Sequence, residues 1–205
     1  MRKPIIGLSK DGSLVVKYPS GKELPAADFA KSAPLTFLLL DHSGSMYGHK
    51  LKEASAGALQ FATAAIDSGY QVGLISFSSE AAILSVSTTI VEKLKQCLSL
   101  LQASGKTNLS SAISLATESL LPVSGPRAIV VVTDGEPDSQ ASAIDAAKAA
   151  SARGIQIMAI GTADADQEFL SKIATARDLA QHVPPAQLRY AIASAAKQLP
   201  RPVGK

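Results

Sequence analysis

Leu35-Thr36-Phe37-Leu38-Leu39-Leu40-Asp41-His42-Ser43-Gly44-Ser45-Met46 is the stretch that decides the fold. Leu35–Leu40 is a strand-sized apolar run without polar alternation, as expected of a strand covered on both faces. It ends abruptly in an acid followed by small hydroxyl residues and a glycine. Beyond that loop, Leu51, Ala54, Ala58, Phe61, Ala62 and Ala65 recur at three and four within Leu51–Ile66, the apolar stripe of a helix. A second buried-type run, Gln71–Phe77, follows Gly69, which sits where a left-handed helix stop is wanted. Strand, helix and strand in this order describe a parallel, right-handed crossover.

The same alternation continues outward. Ala128–Val132 and Ile155–Ile160 read as further strands, and Ile90–Leu101, Ser110–Leu121 and Ala141–Ala152 as helices, with Gly154 as a second left-handed stop. Only Ser78-Ser79-Glu80 separates Gln71–Phe77 from Ala81–Ser87, too little chain for a helical crossover, so Ala81–Ser87 is expected to pair antiparallel as an edge strand. Gln167–Ala176 reads as a helix, Leu179–Val183 as a weak sixth strand and Pro185–Leu199 as a closing helix. The expectation is an α/β fold: a three-layer, doubly wound, mostly parallel six-stranded sheet with one antiparallel edge strand, over residues 35–199. Residues 1–34 follow another rule: Ile5–Lys10 and Ser13–Tyr18 flank Asp11-Gly12, a hairpin signal, and Pro19-Ser20-Gly21-Lys22 turns the chain away. They read as a basic β-hairpin extension, and residues 200–205 as a tail.

Composition narrows the function classes. With 205 residues, 46% hydrophobic and 18% charged, the chain can bury a core without disulfides or structural metal. The formal charge of +3 is supplied by Met1–Pro34, where six Lys/Arg face three acids. Aromatics are 4% and Trp is absent, unlike the basic, aromatic-interleaved stripe of a nucleic-acid binder, so nucleic acid is not an expected partner. The single cysteine, Cys97, lies within a helical stripe of leucines and reads as a buried small hydrophobe, compatible with a reducing compartment. No signal-like apolar run follows Met1-Arg2-Lys3-Pro4, and no apolar stretch approaches the ~20 residues that span a bilayer. A cytoplasmic protein, free of membrane, is expected.

In an open α/β sheet, ligands bind outside the carboxyl ends of the strands. There the chain places Asp41–Met46, Gly105-Lys106-Thr107-Asn108 and Thr133-Asp134-Gly135-Glu136-Pro137-Asp138. Pooled, these loops offer the carboxylates of Asp41 and Asp134 and the hydroxyls of Ser43, Ser45 and Thr107, all hard oxygen donors. Such a set suits Mg²⁺, with Mn²⁺ or another hard divalent cation as an alternative. Two carboxylates nearly neutralise the ion, and neutral hydroxyls leave it electrophilic toward one further anionic ligand.

Leu39–Met46, Thr107 and Val132-Thr133-Asp134-Gly135-Glu136 together closely resemble the metal-ion-dependent adhesion site of von Willebrand factor type A domains, and the resemblance runs from about Leu35 to Leu199. It implies that Asp41, Ser43 and Ser45 belong to a first metal loop, Thr107 to a second and Asp134 to a third, so that all five metal positions of an intact site are present. It also implies a non-catalytic adaptor that binds the Asp or Glu of a partner protein through the bound cation. Cytoplasmic, bacterial-type members of this kind commonly work beside ATPases, kinases or phosphatases. His42, where the family more often has a small or apolar residue, is expected on the partner-binding rim with Tyr47 and Glu136.

Enzyme readings fit less well. Gly105-Lys106-Thr107 lacks the glycine a phosphate-binding loop needs five residues earlier, where Leu100 stands. A haloacid-dehalogenase-type phosphatase needs a second acid two residues after Asp41, and Ser43 is there. Asp41, His42 and Ser43 in succession cannot converge as a hydrolytic triad, and no Gly-x-Ser-x-Gly elbow is present. Metal-assisted hydrolysis, with His42 as its sole evident base, is the remaining enzyme alternative, and nucleic-acid binding by the basic N-terminus the other.

Overall fold

The computed structural model describes residues 5–9, 13–17, 21, 23–25, 32–135, 137–162 and 165–201. At the N-terminus, β1 (Ile5–Leu8) pairs antiparallel with β2 (Leu14–Lys17), as the hairpin signal predicts, although the Asp11-Gly12 turn itself lies outside the described residues. The expected hairpin proves to be a three-stranded sheet. After Gly21, β3 (Glu23–Pro25) returns antiparallel along β2 instead of leading away. Its three residues are too few to show alternation, and Pro25, which has no N–H to donate, masks the strand signal. Pairing rests instead on tertiary matching: Lys17 stands opposite Glu23, with Nζ 3.0 Å from Oε1.

The main domain is organised around β4 (Leu35–Asp41), all seven residues of which are buried. Successive side chains on a strand point to opposite faces. Phe37 and Leu39 therefore enter one core with Leu109, Ile113 and Leu170, while Leu38 and Leu40 enter the other with Phe61 and Ile192. This double coverage is why the run is continuously apolar. In chain order the remaining elements are α1 (His49–Asp67), β5 (Gln71–Phe77), β6 (Ala81–Thr88), α2 (Val91–Ser99), α3 (Leu109–Leu120), β7 (Arg127–Thr133), α4 (Gln140–Ala152), β8 (Gln156–Thr162), α5 (Gln167–Ile173), β9 (Ala180–Val183) and α6 (Leu188–Ala195).

The six strands lie in the order β6-β5-β4-β7-β8-β9, all parallel except for the antiparallel β5–β6 pair. Helices α1, α2 and α6 cover one face and α3, α4 and α5 the other. The chain thus has the doubly wound, three-layer fold its sequence predicts, including the antiparallel edge. Cys97 is partly buried against the core that holds Leu38 and Leu40, and its thiol lies 3.4 Å from the carbonyl oxygen of Leu84, consistent with the packing role expected of it.

Helix α6 packs closely on α1. The buried stripe of α1 is mostly small (Ala54, Gly57, Ala58, Ala62, Ala65), with Phe61 as its one large member. A Cβ on Gly57 would lie 2.9 Å from the backbone oxygen of Arg189 and 3.0 Å from its Cα. Beside this contact, Arg189 Nη2 donates to Glu53 Oε1 at 2.8 Å, tying the two helices at their margin.

Gly57→Ala tests whether this approach is tight. Helix propensity alone favours alanine by about 1 kcal/mol, whereas overpacking costs about 1–3 kcal/mol. Because the obstructing atoms are backbone, packing should win, and denaturant unfolding should show lower stability for the variant. A gain in stability would mean that α6 yields readily.

Candidate metal centre

The loops singled out in the sequence meet at the carboxyl edge of β4. The first leaves β4 at Asp41 and makes a short 3-10 turn, Gly44–Met46, before α1. Backbone hydrogen bonds join it to its neighbours: His42 N–H donates to the Phe77 carbonyl at 2.9 Å, Gly44 N–H to the Gly105 carbonyl at 3.1 Å, and Ser104 N–H to the His42 carbonyl at 2.8 Å. The second loop is joined to the third by a reciprocal pair: Asp138 N–H donates to the Thr107 carbonyl at 2.9 Å, and Thr107 N–H donates to Asp138 Oδ1 at 3.2 Å. The first and third meet directly, since a Cβ on Gly135 would lie 3.6 Å from Ser45 Oγ.

Within this frame four of the expected ligands form a continuous polar chain. Asp41 is fully buried; its Oδ1 accepts from Ser43 N–H at 2.7 Å and its Oδ2 from the Thr133 hydroxyl at 2.6 Å. Ser43 Oγ lies 3.1 Å from Ser45 Oγ, and the Ser45 hydroxyl donates to Asp134 Oδ1 at 2.7 Å. Asp134 is also fully buried, and Lys50 Nζ reaches its Oδ2 at 2.5 Å. Thr107 is buried as well, and its backbone ties it to Asp138 at the end of the third loop.

Burial pushes the Asp41 carboxyl above its ordinary value of 3.8. The hydrogen bonds from Thr133 and Ser43 pull it back, and the neighbouring Asp134 charge raises it further.

Of the expected rim residues, Tyr47 is 81% exposed beside the first loop. His42 is half-buried, and its Nδ1 lies 3.0 Å from the Gln102 carbonyl, which can only accept; the ring thereby braces the first loop against the segment leading to the second. Glu136 lies outside the described residues. Three contributors were not singled out in the sequence: Thr133, Lys50 and Asp138. Thr133 and Asp138 flank the third loop, but their partners are remote in sequence. Asp138 ends the third loop next to Ser139, which caps the following helix by accepting from Ser142 N–H at 3.2 Å. Lys50 did carry a signal, being a cation in the first turn of a helix, where the dipole disfavours it.

The donor set fits a small hard cation. It consists of carboxylate and hydroxyl oxygens, and among the described residues no cluster of three or more His, Cys, Asp or Glu offers a competing metal site.

A doubly wound α/β domain whose buried carboxylates and serine hydroxyls gather at the carboxyl end of its central strand has its polar groups where open α/β sheets generally bind ligands. More specifically, the chain belongs to the von Willebrand factor type A domain family, whose model matches residues 37–190. Among solved structures, the von Willebrand factor domain of the type V pili tip protein Mfa5 from Porphyromonas gingivalis superposes with a TM-score of 0.74 at 15% identity, over 82% of this chain and 95% of that one. The conserved hypothetical protein BatB from Bacteroides thetaiotaomicron gives 0.65 at 22% identity, over 82% and 98%. The pilus adhesin SpaC from Lactobacillus rhamnosus GG gives 0.71 at 15% identity, over 96% of this chain but 34% of that one. Comparison with curated proteins finds no match.

Thr133→Val removes the hydroxyl that serves Asp41 Oδ2. At neutral pH the stranded, buried carboxylate oxygen should cost about 1–3 kcal/mol in denaturant unfolding. Because the lost bond favours the charged form, the penalty should shrink as pH falls through the raised Asp41 value. A penalty equal at both pH values would show that the bond does not support the carboxylate.

Proposed function

We propose that this chain is a metal-dependent protein-interaction module. Asp41, Ser43, Ser45, Thr107 and Asp134 hold Mg²⁺, or another hard divalent cation such as Mn²⁺, at the carboxyl edge of the sheet. The bound ion would supply an electrophilic vertex for the Asp or Glu side chain of a partner protein. The observation that carries the reading is the unbroken polar chain from Asp41 through Ser43 and Ser45 to Asp134, drawn from two separate loops and seated on buried carboxylates. The residues of this chain do the preorganising. Thr133 and the Ser43 amide orient Asp41, Ser45 orients Asp134, and the reciprocal bonds between Asp138 and Thr107 set the second loop against the third.

Binding is favoured over hydrolysis by the state of the candidate catalytic groups. Asp41 is buried with both oxygens engaged, which suits a fixed ligand better than a nucleophile. His42 is committed through Nδ1 to the Gln102 carbonyl as a strut between loops. The single free thiol suits a reducing compartment, so the reading extends to a cytoplasmic adaptor beside an ATPase, kinase or phosphatase system, as the family resemblance implies.

Calorimetric titration with Mg²⁺ or Mn²⁺ should show binding that Asp41→Ala and Asp134→Ala abolish while circular dichroism retains the fold. Unchanged affinity would refute the ligand assignment. Affinity should also weaken toward acid, because protons compete at the buried Asp41, whose carboxyl is raised above its ordinary value by burial. Partner capture should vanish in EDTA and return with Mg²⁺; capture indifferent to chelator would shift attention to the N-terminal sheet.

A further inference from the structure

Helix α1 begins awkwardly for a helix. Its N-cap, Gly48, has φ +77° and provides no side-chain cap, and no acid stands in the first turn to meet the positive end of the dipole. That turn carries the cation Lys50 instead. Nothing in local helix energetics favours a lysine there, and unlike the exposed Lys52 of the same turn, Lys50 is held by a tertiary partner. The partner is Asp134, whose Oδ2 lies 2.5 Å from Lys50 Nζ, with the lysine side chain 23% exposed and the aspartate fully buried. Gly48, in a backbone conformation that favours glycine, redirects the chain so that the first turn of α1 faces the third loop.

The charges can be counted. Asp41 and Asp134 supply two negative charges and Lys50 one positive, so the ammonium already offsets part of the charge that a divalent ion would meet. A divalent cation brought to the two carboxylates would balance them if Lys50 were absent. With the ammonium in place the ion must either displace it from the buried Asp134 or bind beside it against Coulomb repulsion. Both routes weaken loading.

We propose that Lys50 is the resident counter-ion of this site, holding Asp134 when no divalent ion is bound and opposing the ion's entry. The inference rests on the metal reading above and adds that the chain carries its own competitor, which sets the divalent-ion concentration at which the site fills. A lysine that merely propped Asp134 in place would have the opposite effect, because its removal would loosen a ligand and weaken metal binding. The sign of the change separates the two.

Mn²⁺ titration of the full chain, followed by the electron paramagnetic resonance signal of free Mn²⁺, reads the affinity directly. Lys50→Met and Lys50→Gln should bind at least about fivefold more tightly than the parent chain, and Lys50→Arg within about twofold of it. Thermal unfolding without metal should show Lys50→Met below the parent, its Asp134 Oδ2 left without the ammonium, and saturating Mn²⁺ should close that gap. Lys50→Gln keeps the test open if Lys50→Met does not fold. A silent parent with binding by Lys50→Met would also support the inference. Equal or weaker binding by both neutral variants, with binding by the parent and its loss in Asp134→Ala, would overturn the inference and leave the metal reading standing. Silence in all the chains would remove both.

Discussion

Everything at the carboxyl edge depends on keeping Asp41 charged inside the protein. A buried carboxylate without partners protonates or drives the structure apart, since its desolvation outweighs any single neutral hydrogen bond. Here Oδ1 is served by the Ser43 amide, from its own loop, and Oδ2 by the Thr133 hydroxyl, from the end of β7. The first bond curls the loop back on β4 and carries the Ser43 and Ser45 hydroxyls toward the third loop. The second clamps β7 to β4 just before the chain releases Asp134. One carboxylate thereby sets the geometry of two loops. The raised pKa of Asp41 shows that the compensation is incomplete.

The sheet order makes this clamp possible. β4 lies inside the sheet with β5 on one side and β7 on the other, so the connections leaving it and its neighbour β7 run to opposite faces. A crevice opens where successive connections diverge in this way, and side chains from the ends of adjacent strands can meet across it. Register completes the arrangement: Leu40 stands opposite Val132, so Asp41 and Thr133 leave their strands at the same level. An antiparallel pairing of β4 with β7 would send one of these loops to the far end of the sheet. Parallel topology is therefore part of the chemistry as well as of the packing.

The physical reasons for what could be read from the sequence differ by element. β4, β5, β7 and β8 announce themselves because both faces are buried and each needs a nearly unbroken apolar run. β6 was legible from chain length alone, because Ser78-Ser79-Glu80 cannot cross the sheet. Gly69 and Gly154, with φ of +91° and +72°, mark the ends of α1 and α4 as expected of left-handed stops. β3 was missed because a three-residue strand ending in proline carries no periodic signal. At the site, the five expected ligands were legible by residue type and loop position. Thr133, Lys50 and Asp138 were not, because each acts through a partner roughly 30 to 90 residues away. No local pattern encodes such pairing.

The polar cluster lies where the fold can tolerate it. The two cores above and below the sheet consist almost wholly of buried aliphatic and aromatic side chains, and the charged residues stand at the strand ends, where the apolar layers give out. A carboxylate pair midway along β4 would have to be desolvated on both faces with no loop amide near enough to serve it. At the strand end, backbone N–H groups released from the ladder are available, and Ser43 uses one. The same edge leaves Tyr47 exposed beside a buried, charged floor. His42, by contrast, is tied to the Gln102 carbonyl and braces the loop that carries the donors.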